Sequence, residues 1–136
     1  MAEEERVLRQ EHVQLGVLEF DPDEGVWVAT LTRDNRPIRV RVGGEREPDR
    51  QLVDRAVHLF EDFEAFKSQI VEFLRLEGAA RPHLADALRV LTIGEVCLFW
   101  PDRPGDAMVF FAAPDSCRIW HCDYLGGQPS GLSFDS

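Results

Sequence analysis

The sequence predicts an α+β fold, a mostly antiparallel sheet with helices from a central insert packed on one face. Three observations predict it. Apolar residues alternate from His12 to Val42, recur at spacings of three and four from Asp49 to Gly78, and alternate again from Val90 to Phe134. Alternation marks half-buried strands, and a period of about 3.6 marks an amphipathic helix. The order is therefore strands, helical insert, strands.

A chain of 136 residues fits one domain, and a domain of that size buries roughly two-thirds of the surface its unfolded chain exposes. The division expected is an acidic tail over 1–11, whose start at Met1–Arg6 reads as frayed or as a short helix, and a single domain over 12–136, with the helical insert at about 48–78.

The first strand expected is His12 to Phe20, with Val13, Leu15 and Val17 on one face. Asp21-Pro-Asp-Glu-Gly25 is a turn: Pro22 sets φ, Asp21 bonds back to the backbone, and Gly25 admits positive φ. Val26 to Arg33 is a strand with Trp27, Ala29 and Leu31 on one side. Asp34-Asn35-Arg36 connects it to Pro37–Val42, in which Ile38, Val40 and Val42 alternate with Arg39 and Arg41. Short loops make these strands an antiparallel meander.

Gly43, Gly44 and Pro48 end the sheet signal, and Pro48-Asp49 opens a helix. Leu52, Val53, Ala56, Leu59, Phe60 and Phe63 trace one apolar stripe, which Phe66, Ile70, Phe73 and Leu74 continue. A single helix to Leu76 would be long, so a break is expected near Glu61 to Phe63, with Gly78 as the C-terminal stop. His83 to Leu88 adds a helical turn. Val90 to Trp100 is a strand around Gly94, Pro101–Asp106 a turn, and Ala107 to Ala112 a strand apolar on both faces and hence central. Pro114-Asp115-Ser116 turns the chain into Cys117–Leu125. Gly126–Pro129 is a last hairpin before a short strand over Gly131–Phe134.

The net charge of -10 argues against nucleic-acid binding, where Lys and Arg must neutralise phosphates. It suits a basic protein partner. Lys67 is the only lysine among fifteen basic residues, as expected of a GC-rich genome. No apolar run approaches the ~18 residues of a membrane span, and Met1-Ala-Glu-Glu-Glu-Arg6 lacks a signal peptide's basic and apolar regions. The expectation is a cytoplasmic protein with reduced thiols and no membrane partner.

The metal-capable cluster is Cys117-Arg-Ile-Trp-His-Cys122. On a strand, Cys117 and His121 share one face, with Cys97 and either His12 or His58 as further candidates. A closed zinc site wants four ligands and usually a tight Cys-x2-Cys knuckle, which is absent. Free cysteines more often serve as small buried hydrophobes, so no metal and no cofactor are expected. A catalytic pair of Cys122 or Cys117 with His58 would need a thiolate-stabilising setting, a helix N-terminus or a nearby cation, and mid-strand cysteines do not offer the first. The carboxylate groups at Asp21/Asp23/Glu24 and Asp102/Asp106 sit in turns, and Glu61/Asp62/Glu64 on a solvated helix face. Trp100, Trp120 and Tyr124 are interface candidates, because exposed Trp and Tyr anchor interfaces. Arg39 and Arg41, outward on one strand, are candidates for anionic contacts.

The layout resembles a broad group of small uncharacterised bacterial domains. The residues carrying the likeness are Leu15-Gly-Val-Leu-Glu-Phe20, Val26-Trp-Val-Ala29, Pro37-Ile-Arg-Val-Arg-Val42, Arg118-Ile-Trp-His121 and Gly131-Leu-Ser-Phe-Asp135. Some members resemble immunity proteins, which neutralise toxins of competing bacteria. The resemblance implies no catalytic residues.

Three functions follow as expectations. The first is a non-enzymatic, acidic protein-binding module of immunity-like type. The second is a small enzyme or ligand-binding domain with a pocket between sheet and helices, using Cys97, Cys117 and His121. The third is a structural or regulatory subunit that forms homo-oligomers by pairing an edge strand such as Pro37–Val42.

Overall fold

The computed structural model describes residues 8–114 and 118–135. Eight strands form one sheet in sequence order: β1 (Arg9–His12), β2 (Gly16–Asp21), β3 (Val26–Arg33), β4 (Arg36–Val42), β5 (Thr92–Leu98), β6 (Ala107–Ala112), β7 (Ile119–Leu125) and β8 (Gln128–Asp135). Every neighbouring pair is antiparallel except β4 and β5, which run parallel. A parallel pair needs a crossover. Here it is made by α1 (Arg50–Glu61), α2 (Phe63–Ala80), a 3-10 turn (Pro82–Leu84) and α3 (Ala85–Arg89). The fold is α+β, as the change of period predicts.

The core lies between the helices and one face of the sheet. Trp27, Ala29, Ile38, Val40, Val96 and Val109 from the strands meet Leu52, Ala56, Phe60, Phe66 and Ile70 from the helices. The helical stripe read from sequence is this contact surface. The break between α1 and α2 falls at Asp62, inside the expected window. Asp49 caps α1, its Oδ1 accepting from Leu52 N at 3.1 Å. Among the described residues no helix is long and apolar enough to cross a membrane.

Four local features differ from the sequence reading. The strand expected over His12–Phe20 is instead a hairpin, and Arg9–Glu11, assigned to the tail, pair with β2. His12 Nδ1 accepts from the backbone of Gln14 and Leu15 at 3.1 and 3.3 Å, and Gly16 turns at φ +79°. Val13 therefore stands out at the tip, 94% exposed, while Leu15 is buried and Val17 points away. Alternation runs unbroken through a tight turn, so the pattern hides it. Gly78 is no helix stop: α2 continues to Ala80. A Cβ at Gly78 would lie 3.3 Å from Ala85 Cα, so this glycine admits the close approach of α3. Pro37–Val42 is no edge strand either, because β4 is paired on both sides; the edges are β1 and β8. The last strand starts at Gln128 rather than Gly131, with Gly131 at φ +63° near the irregular pairing with β7.

Candidate interface on the uncovered face of the sheet

The described helices pack on one face, so the alternate residues of every strand are left on the other. On the central strands these are Val28, Arg39, Arg41, Glu95, Cys97, Met108, Phe110, Ile119, His121 and Asp123. The parallel register sets Arg39 beside Glu95 and Arg41 beside Cys97, and the antiparallel registers set Cys97 beside Met108 and Phe110 beside His121. The β4–β5 pairing thus joins residues that are over fifty positions apart in sequence.

Arg41 organises this face. Its guanidinium donates to Glu24 at 2.7 Å and Glu95 at 3.0 Å and lies 6.0 Å from the Phe99 ring centre. Burial opposes its charge, but these carboxylates outweigh burial and hold it above its ordinary value. Arg39 is more exposed and stands 3.9 Å from Glu95. Both arginines are therefore engaged with acids of this chain rather than presented bare.

Cys97 lies beneath this ion pair, fully buried, with its thiol 3.3 Å from Glu95 Oε2. Burial, followed by the Glu95 carboxylate, pushes the thiol well above its usual range against the pull of Arg41. Cys122 faces the helices, and burial pushes its thiol up to about 12. Neither is a nucleophile near neutral pH. Alkylation of the native protein is expected to leave both unlabelled, and denaturant should expose both; peptide mass spectrometry reads the result. Native labelling of Cys97 would show that the Arg41 cover opens. The same shifts have a pH consequence. Unfolded thiols ionise near ~8.5, so above that pH the native state holds more protons than the unfolded state, and stability falls as pH rises.

The other sequence candidates divide by strand phase. Trp120 and Tyr124 point into the core, 4% and 5% exposed, because β7 turns its even-numbered residues towards the helices. Tyr124 donates to Gln69 Oε1 at 2.6 Å and meets Phe66 edge-on. They offer a partner no surface. Trp100 is half-buried and lies under Arg103, 5.1 Å from its ring centre. Cys117 lies outside the described residues. Among those described, no three His, Cys, Asp or Glu side chains gather as metal ligands. His12 is engaged in the β1–β2 turn and His58 lies on α1, away from His121 and Cys97.

One grouping escaped the sequence reading. Ser133 Oγ lies 3.3 Å from His121 Nε2, and Asp135 Oδ2 lies 3.5 Å from the same nitrogen. The residue types match a hydrolytic triad, but its base needs serine on one nitrogen and the orienting carboxylate on the other. Here Ser133 Oγ stands 3.3 Å from Nε2 and 3.5 Å from Nδ1, beside the ring rather than in line with one nitrogen, and Asp135 approaches Nε2 from the edge strand β8. The β8 register, which sequence spacing does not reveal, creates this contact. The Asp135 side chain is 73% exposed, so the group faces solvent at the sheet edge.

A cavity of about 230 Å3 does lie between the sheet and α2, but Cys97 and His121 do not line it. Comparison with family models, curated proteins and solved structures finds no match.

Proposed function

We propose that the protein is a non-enzymatic protein-binding module of immunity-like type, acting in the cytoplasm, whose helix-free sheet face receives a basic partner. The observation that carries the reading is the make-up of that face. Met108 and Phe110 are half-buried at its middle, and Ile119 and Leu125, at 56% and 45% exposed, continue the apolar surface. Around them Glu19, Glu24, Glu95, Asp123 and Asp135 outnumber Arg9, Arg39 and Arg41. An apolar centre within a charged rim is the make-up of a protein interface. The excess of acids, on a chain of net charge -10, would steer a basic surface towards it.

The test uses the intact chain as bait against cell lysate, beside an Ile119→Arg bait. Ile119 is exposed, so the change leaves the fold in place while adding repulsion and removing apolar contact. The expected result is one stoichiometric basic protein that the natural chain holds at low salt and releases at high salt, and that the variant does not hold. Equal capture by both baits, or capture indifferent to salt, would overturn the proposal.

A further inference from the structure

We infer that the side of α2 facing β4, β5 and α3 binds one long-chain anionic amphiphile, a carboxylate on an alkyl tail. Two cavities meet there. One, of about 230 Å3, lies between α2 and the sheet; the other, of about 430 Å3, lies between α2 and α3. Val71, Leu74 and Leu91 line both, so together they form one groove. The larger lobe falls within the ~300–1,000 Å3 of small-molecule sites. Val71, 56% exposed, leaves an apolar wall open to solvent that an alkyl tail would cover.

The charge along this groove reverses that of the chain. Arg33, Arg36 and Lys67 stand at one end and Arg75 and Arg89 at the other, and among the described lining residues Asp34 is the only acid. The cations are not equally available. Lys67 is held by Asp34 and Glu64, Arg75 by Glu72, and Arg89 by Asp86. Arg33 donates only to the carbonyls of Thr32 and Phe60, and Arg36 has no acidic partner among the described residues. These two arginines are direct cross-strand partners at the β3–β4 turn. Like charges opposite each other destabilise a hairpin, and an anion between them would relieve the repulsion. A carboxylate suits paired guanidiniums, whose planar donors match its two oxygens. That places the headgroup at Arg33 and Arg36 and the tail along Val71 and Leu74 towards Leu88. The groove is concave, and at one end Arg33 and Arg36 have no acidic partner among the described residues, which fits a single amphiphile better than a flat membrane surface.

The test titrates the full chain with hexadecanoate below its micellar concentration, by displacement of a fluorescent alkyl carboxylate. Saturable 1:1 binding is expected, with hexadecanol and acetate each weaker by at least about tenfold, because each lacks one half of the recognition. Arg36→Gln should weaken binding by about tenfold, the loss of one charge-assisted contact, and Val71→Trp should block the groove. Both residues are exposed, and circular dichroism confirms the fold. Ile119→Arg, on the opposite face, should change nothing, which separates this site from the protein interface. No binding, equal affinity for hexadecanol, or binding unchanged in Val71→Trp would overturn the inference. So would co-sedimentation with anionic phospholipid vesicles without binding of monomeric hexadecanoate.

Discussion

Replacing Phe60 with alanine is expected to lower the unfolding free energy by about 3–5 kcal/mol. Phe60 is 4% exposed at the end of α1. Its ring stacks on Phe63 at 5.5 Å between centres, Phe63 meets Phe66 at 6.2 Å, and Phe66 meets Tyr124 of β7 at 5.2 Å. The Arg33 guanidinium covers the ring 5.5 Å from its centre. Truncation therefore removes a link in an aromatic row that joins both helices to the second meander, and leaves a cavity the neighbours cannot readily fill. Phe73 is a control from the same apolar stripe. It is half-buried at the edge of the core, so its truncation should cost about half as much or less, since the loss scales with the apolar area removed from water. Urea denaturation of the two variants checks both. Equal losses would mean that the helices are rotated relative to this packing.

Gly44→Ala is the second large effect, with an expected loss of about 2–4 kcal/mol from backbone strain and a weakened helix cap. Gly44 sits where the chain leaves β4 for α1, at φ +141°. A Cβ there would fall 2.7 Å from Asp49 N and closer still to the Glu47 carbonyl oxygen, so backbone must move. Two contacts depend on this turn. Asp49 N donates to the Gly43 carbonyl at 2.9 Å, and Asp49 Oδ1 caps α1. Moving the loop disturbs the helix start and the β4–β5 junction, where Gly43 N bonds Leu98 O at 2.9 Å. Gly105→Ala is the matched control, since a Cβ at Gly105 meets open space. The melting temperature of Gly44→Ala should drop by several degrees while that of Gly105→Ala stays near the natural protein. A Gly44→Ala protein as stable as its control would show that the turn adopts another path.

The legibility of the candidate sites follows the range of the interactions involved. The phase of Ile38, Val40 and Val42 against Arg39 and Arg41 can be read from alternation, and the structure keeps it. The burial of Arg41 cannot, because Glu24 comes from a turn and Glu95 from a strand beyond the helical insert. Trp120 and Tyr124 looked like interface anchors because residue type alone suggested it; the phase of β7 assigns them to the core. Ser133 and Asp135 drew no notice, because only the β8 register brings them to His121. The Arg33–Arg36 pair was within reach: a two-residue turn at Asp34-Asn35, both at positive φ, makes its flanking residues cross-strand partners.

By itself the sequence determined the order strands, helical insert, strands, the helical face that is buried, and the break near Asp62, though not the β1–β2 hairpin. Those depend on period and turn chemistry, which act over a few residues. Tertiary structure alone decided that the two meanders join through a parallel β4–β5 pair, that Arg41, Glu24 and Glu95 meet on the sheet face away from the described helices, and that a cation-ended groove runs beside α2. Each of these arises from the meeting of segments far apart in the chain, and a local pattern of residues carries no record of which distant segment it will meet.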